Sequence, residues 1–150
     1  MEFKRLQESD AELARLAIGR LKILDPDLRG NLTQHHVRAF LEKPENVLIV
    51  ATDNELPVGF VLAYLLDRAD RDRRMMLFYE IEVSEGHRRR GLARAMVELL
   101  KSLCVQQGVF KMWVQTNRSN PAAVGLYEST GGSPNSSGDE ISFRYDFGAL

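Results

Sequence analysis

The sequence predicts one mixed α/β domain spanning residues 1–150, with an antiparallel start and a strand–helix–strand crossover in its middle. Three observations carry this. Apolar runs that read as strands alternate with segments whose apolar residues recur at helical spacing. The last helix is punctuated at both ends, by Asn120 and Pro121 before it and Gly131 after it. A chain of 150 residues, 44% hydrophobic and 27% charged, has the size and composition of one globular domain.

The elements follow in order. "FKRLQ" reads as a short strand, and Ser9 with Glu12 three residues later is a capping-box signature for the helix that follows. That helix carries Leu13, Leu16, Ala17, Leu21 and Leu24 at helical spacing and is broken by "DPDLRGN". Thr33 is the N-cap of a second, short helix with Val37, Phe40 and Leu41 on one face, ending before Pro44. "VLIVATD" and "VGFVLAYLLD", joined by the turn-like "NELP", read as paired antiparallel strands, and "MMLFYEIEV" as a third apolar strand.

Leu92, Met96, Leu99, Leu100 and Leu103 mark the buried face of a long helix that Gly108 stops. "VFKMWVQT" is the next strand, then comes the helix capped by Asn120, and "EISFRYDF" alternates as a closing strand.

Several functions are disfavoured. A net charge of −1 gives no global attraction to nucleic acid or an anionic membrane. No apolar run approaches the roughly 20 residues of a spanning helix, and "MEFKRLQESD" lacks the apolar core of a signal peptide, so the expected location is the cytoplasm. The one cysteine, Cys104, falls among apolar helical residues and reads as a buried, inert thiol. His35 and His36 have no third ligand at metal spacing. The mixed-sign run "DRADRDRR" (67–74) reads as an exposed loop, and Trp113 as packing.

The chemistry concentrates in "EVSEGHRRRGLARAMVELL" (82–100), where a strand turns through glycine into a helix. The first N–H groups of a helix have no internal partners and suit an anion, and Arg88, Arg89 and Arg90 add positive charge. Gly91 and the small Ala93 allow a ligand close to the backbone, with pyrophosphate the natural guest. No P-loop and no G-x-G-x-x-G is present. By itself, Arg88-x-x-Gly91-x-Ala93 reads equally as a solvated basic turn.

Two further motifs stand at the right separation. "YEIEV" (79–83), "HRRRGLA" (87–93) and "NPAAVGLYESTGG" (120–132) together resemble the GCN5-related N-acetyltransferase (GNAT) superfamily, and are most similar to the small aminoglycoside 3-N-acetyltransferases that act on gentamicin. The resemblance implies a central, mostly antiparallel twisted sheet with flanking helices and a cleft where two strands splay apart around acetyl-CoA. It implies that Ile81, Glu82 and Val83 line the pantetheine arm, that the amides of Arg88, Arg89, Arg90, Gly91, Leu92 and Ala93 hold the pyrophosphate, and that Asn120, Ala123 and Tyr127 contact the cofactor. The Val83 N–H would polarise the thioester carbonyl. Tyr127 would protonate the departing thiolate, a modest contribution because a thiolate leaves readily. For Ile81 and Val83 plain core packing is compatible with these main-chain contacts, and for Asn120 capping alone suffices.

An amine attacks a thioester only when unprotonated. Glu80 and Glu82, two residues apart in a strand, share one face, which fits a solvated cleft better than a core. Glu80 is the expected base, directly, through a water, or as the group that orients the amine; Glu82 is the reserve. Either may equally be solvent-facing on a half-exposed strand. The acidic residues Asp139, Glu140 and Asp146, with Asp25 and Asp27 across the cleft, would help hold a polycationic amine. "GGSPNSSGD" departs from the family pattern and implies a short or distorted strand there. The implied activity is acetyl transfer to an aminoglycoside amine, conferring antibiotic resistance, in an enzyme of a family in which homodimers are common. The alternatives are transfer to another small or protein amine, and a non-catalytic acyl-CoA-binding domain; a pure binder would need neither Glu80 nor Tyr127.

Overall fold

The computed structural model describes residues 1–22, 32–134, 138 and 141–148. Five strands form one sheet in the order β1 (Glu2–Arg5), β2 (Asn46–Asp53), β3 (Leu56–Leu66), β4 (Met75–Val83) and β5 (Lys111–Trp113). The first four pair antiparallel; β4 and β5 are parallel, joined by a helical crossover. Helices α1 (Ala11–Leu21) and α2 (Gln34–Leu41) cover one face, and α3 (Leu92–Gln106) with α4 (Pro121–Ser129) the other. No helix among the described residues is long and apolar enough to cross a membrane.

The central strands are apolar throughout because both of their faces are covered. Val47, Ile49 and Ala51 of β2 turn toward α3, while Leu48 and Val50 turn toward α1 and α2. The β2–β3 hairpin closes through Asn54 and Glu55, both at positive φ, as a two-residue primed turn requires. Gly59 permits close approach at the end of β4: a Cβ there would stand 2.9 Å from Met96 Cε and 3.2 Å from the Glu82 carbonyl oxygen. The cap of α2 is as predicted, with Thr33 Oγ1 accepting from the His36 N–H at 3.1 Å. So is that of α4, where Asn120 Oδ1 accepts from the Ala123 N–H.

Three details differ from expectation. The Ser9–Glu12 box is not formed. Instead the Gln7 N–H donates to Asp10 Oδ2, a short 3-10 turn precedes α1, and Glu12 pairs with Arg15. The buried stripe of α1 is Ala11, Ala14 and Ala17, with Leu16 45% exposed, because small residues let the helix lie close on the sheet. Finally, residues 141–147 form no strand, and Ile141, Phe143, Tyr145 and Phe147 are exposed. A two-residue alternation fixes which side chains share a face, but not whether a sheet edge meets them, and β5 offers an edge only three residues long. Leu24 lies outside the described residues.

Candidate active site

The site starts from a one-residue bulge in β4. Leu62 pairs with Glu80 and Ala63 with Phe78, leaving Tyr79 as the extra residue. Before it, Met76 and Phe78 face the α3 core; after it, Ile81 and Val83 do. Glu80 and Glu82 therefore fall on the opposite face, across from Leu62 and Phe60 of the α1–α2 cluster.

β4 also parts from its parallel neighbour. Its pairing with β5 ends at Leu77 and Trp113, so the remaining six residues of β4 have an open side. The Ser84 N–H donates to the Val58 carbonyl at 2.9 Å, which fixes the alternation: residues 80, 82 and 84 turn their peptide groups to β3, and Ile81 and Val83 turn theirs to the open side. The predicted cleft is therefore present, with main-chain groups facing into it.

At the end of β4 the chain makes a basic turn. Arg89 and Gly91 both have positive φ, +60° and +81°, and Gly91 caps α3. A Cβ on Gly91 would meet nothing within 4 Å, so the space in front of the first α3 amides is open. That combination of open peptide edge and uncovered helix start fits an elongated ligand ending in a pyrophosphate. Arg89 and Arg90 are exposed, whereas the Arg88 Nε–H donates to the Val83 carbonyl at 3.2 Å and ties the turn to the strand. Leu92 is buried and Ala93 half-buried.

A second tie was not foreseen. The His87 Nε2 lies 3.2 Å from Asp53 Oδ2, and His87 Nδ1 lies 2.8 Å from Ser84 Oγ. A carboxylate only accepts, so Nε2 carries the proton and Nδ1 accepts from the Ser84 hydroxyl. This chain of contacts anchors the turn to the β2–β3 hairpin.

Glu80 is largely buried, and Lys22 Nζ lies 3.1 Å from its Oε2. Burial, together with the charge of Glu80, pushes the Glu82 carboxyl up, against the opposing pull of Arg88 and Lys22. An edge-to-face series of rings, Phe40, Tyr64 and Tyr79, flanks this acidic face at centroid separations of 6.2 and 5.9 Å. On the other face Tyr127 meets Phe78 edge-on at 5.6 Å, and burial holds its hydroxyl in the protonated form by pushing its pKa up.

The structure thus gathers Glu80, Ile81, Glu82, Val83, the 88–93 turn and Tyr127 around one strand end. Asp146 is exposed and pairs with Arg144 at 2.7 Å. Asp25, Asp27, Asp139 and Glu140 lie outside the described residues. Lys22, the three rings and the Ser84–His87–Asp53 chain were missed. They are brought together only by tertiary contact, and no local spacing announces them. Cys104 is buried, 3.8 Å from Met112 Sδ, and burial pushes its thiol up, as expected of an inert cysteine. A cavity of about 950 Å³ opens at the other end of β4, among Asp67–Arg74, Gln107 and Gly108. Its Arg68–Asp70 and Arg74–Asp67 pairs largely neutralise it, and none of the site residues lines it.

Comparison with known proteins bears on this geometry. The family model described as "Acetyltransferase (GNAT) family" matches residues 19–132. The [ribosomal protein bS18]-alanine N-acetyltransferase of Escherichia coli K12 is 40% identical over 53 residues, 35% of this chain and 36% of that protein. The chain thus aligns with about a third of that relative's length. An aminoglycoside acetyltransferase from an uncultured soil metagenomic sample, solved in complex with sisomicin, superposes with a TM-score of 0.77 at 19% identity, covering 98% of this chain and 96% of that one. Aminoglycoside N-acetyltransferase AAC(6')-Iy in complex with CoA gives 0.75 at 16% identity, covering 96% and 93%.

Proposed function

Because the chain belongs to the acetyltransferase (GNAT) family, we propose that it transfers the acetyl group of acetyl-CoA directly to an amine of an aminoglycoside, at the 3-amino group, and so confers resistance. The observation that carries this reading is the pair Glu80 and Glu82 on one face of β4, beside the edge where β4 and β5 part. Two adjacent carboxylates repel each other, and a polycationic amine relieves that repulsion.

In this reading Ile81 and Val83 bond the pantetheine arm through their main chain, and the amides from Arg88 to Ala93 receive the pyrophosphate at the start of α3. The Val83 N–H faces the developing oxyanion. Glu80 orients the acceptor amine and takes its proton, with Glu82 beside it holding the cationic substrate. Tyr127 supplies a proton to the thiolate, and Asn120 and Ala123 border the same arm. Asp139, Glu140 and Asp146 extend the acidic wall toward the rest of the polycation.

A second reading has its own support in the match to a ribosomal-protein alanine acetyltransferase: the acceptor is then the terminal amine of a protein. The test is thiol release from acetyl-CoA with gentamicin, spermidine and an alanine-initiated peptide as acceptors. Turnover with gentamicin alone supports the first reading, and turnover with the peptide alone replaces it. Glu80→Gln lowers kcat by about 10²–10⁴-fold if Glu80 is the base, and a variant within twofold of wild type removes that assignment. Tyr127→Phe costs less than about tenfold in kcat, since the leaving group is good; a larger loss would make Tyr127 an obligatory acid.

A further inference from the structure

Lys22 follows the last residue of α1 and is the one lysine among the described residues whose ammonium meets the acidic face of β4. Its Nζ stands 3.1 Å from Glu80 Oε2, close enough for strong coulombic attraction. The approach is out of line for a hydrogen bond, and Oε2, though shielded from solvent, has no hydrogen-bond partner among the described residues. The carboxylate thus holds a primary amine of the chain next to an oxygen whose capacity to accept a proton is unfilled.

We propose that Lys22 is itself an acyl acceptor: without an external amine, the enzyme acetylates Lys22 Nζ from acetyl-CoA. This rests on the reading of Glu80 as the base. A primary ammonium already occupies the position an acceptor amine takes beside Glu80. The peptide group of Ile81, the next residue, opens onto the cleft, so the acyl-binding edge is one residue away. The Lys22 stem is flexible, and its nitrogen has no other partner among the described residues.

The step balances without a further reactant. The Lys22 ammonium gives one proton to Glu80, and the free amine attacks the thioester carbonyl carbon. A C–N bond forms and the C–S bond breaks; the nitrogen's second proton leaves by the same carboxylate. The thiolate takes up one proton, so each turnover yields Nε-acetyl-lysine, free CoA thiol and one proton released to solvent. The product amide has no charge, so the pair with Glu80 is lost and the carboxylate is freed for a cationic acceptor.

Lys4 and Lys101 are internal controls. Lys4 is exposed and pairs with Asp10 at 2.7 Å, and Lys101 is bound to Glu98 and the Thr130 carbonyl. Neither touches Glu80, so their labelling measures uncatalysed transfer.

The experiment incubates the full chain with deuterated acetyl-CoA and no amine, and follows each lysine by peptide mass spectrometry. Lys22 should take up label at least about tenfold faster than Lys4 or Lys101, and that excess should vanish in Glu80→Gln. Unlabelled acetyl already on Lys22 of the wild type, but absent from Glu80→Gln, would meet the same expectation. Labelling of Lys22 no faster than the controls would overturn the proposal. Gentamicin in a parallel reaction separates the two ideas. If Glu80→Gln loses transfer to the drug while wild-type Lys22 stays unlabelled, the base stands and the internal acceptor falls. If Glu80→Gln keeps full transfer to the drug, both fall.

Discussion

Replacing Gly91 by alanine tests whether the backbone of the 88–93 turn, rather than its arginines, carries the anion site. Gly91 has φ +81°, a conformation that costs an L-residue about 1–2 kcal/mol. No atom lies within 4 Å of the added Cβ, so there is no clash to add. Alanine also narrows the unfolded ensemble, returning about 0.4–1 kcal/mol. The net loss of stability is on the order of 1 kcal/mol, or about 2–4 °C in Tm for a domain of this size.

Binding should suffer more than folding. The new methyl projects into the open space before the first α3 amides, and a turn that relaxes toward negative φ swings those amides off the phosphate. A hydrogen bond to a charged group is worth about 1.5–3 kcal/mol, so losing one lowers CoA affinity by about 10- to 150-fold. Arg89 and Arg90 are exposed, and neutralising either removes a screened interaction of about 0–1 kcal/mol, at most roughly fivefold. Titration calorimetry with CoA, alongside thermal melts, reads both quantities. If Arg89→Ala or Arg90→Ala weakens CoA more than Gly91→Ala, or Gly91→Ala binds CoA as wild type does, the backbone account is wrong.

Two further predictions concern the supports of the site. The Glu82 carboxyl is held above its ordinary value by burial and by Glu80, so the folded state binds protons that the unfolded state has shed. Stability should therefore fall as pH rises from about 4.5 through the raised folded value, and Glu82→Gln should be more stable than wild type at pH 7 by under about 1 kcal/mol, with the gain vanishing below that window; melts of both proteins from pH 4 to 8 measure it, and a pH-independent difference would refute it. His87→Ala breaks two hydrogen bonds worth about 1 kcal/mol each and unties the turn from Asp53, so CoA affinity should drop about 5- to 30-fold; equal affinity for CoA would show that the turn holds its shape unaided.

The sequence carried the order of elements well, because helix and strand periods differ and because Thr33, Asn120 and Gly108 punctuate the helices with specific chemistry. The anion turn was legible for the same reason: Gly91 is needed where φ is positive, and the residues around it are contiguous. The parting of β4 from β5 came only through the family resemblance, since nothing in "VFKMWVQT" says that pairing stops at Trp113. Contacts between distant residues left no trace. His87 meets Asp53 across 34 positions, and Lys22 reaches Glu80 across the helix–sheet interface. The alanine stripe of α1 was hidden by its leucines, since periodicity alone does not say which apolar side chains are too large for the closest approach.

The bulge at Tyr79 has a consequence for how the gene can change. It acts as a one-residue frameshift in three dimensions: every residue downstream of it in β4 is out of phase with the residues upstream. Removing one residue there would restore strict alternation and rotate the remainder of the strand by one position. Glu80 and Glu82 would then turn into the α3 core, and the peptide groups of Ile81 and Val83 would turn toward β3 and close off the open edge. Substitutions along β4 can be absorbed one at a time, but a single-codon deletion at this point would exchange the acidic face and the ligand-facing edge together.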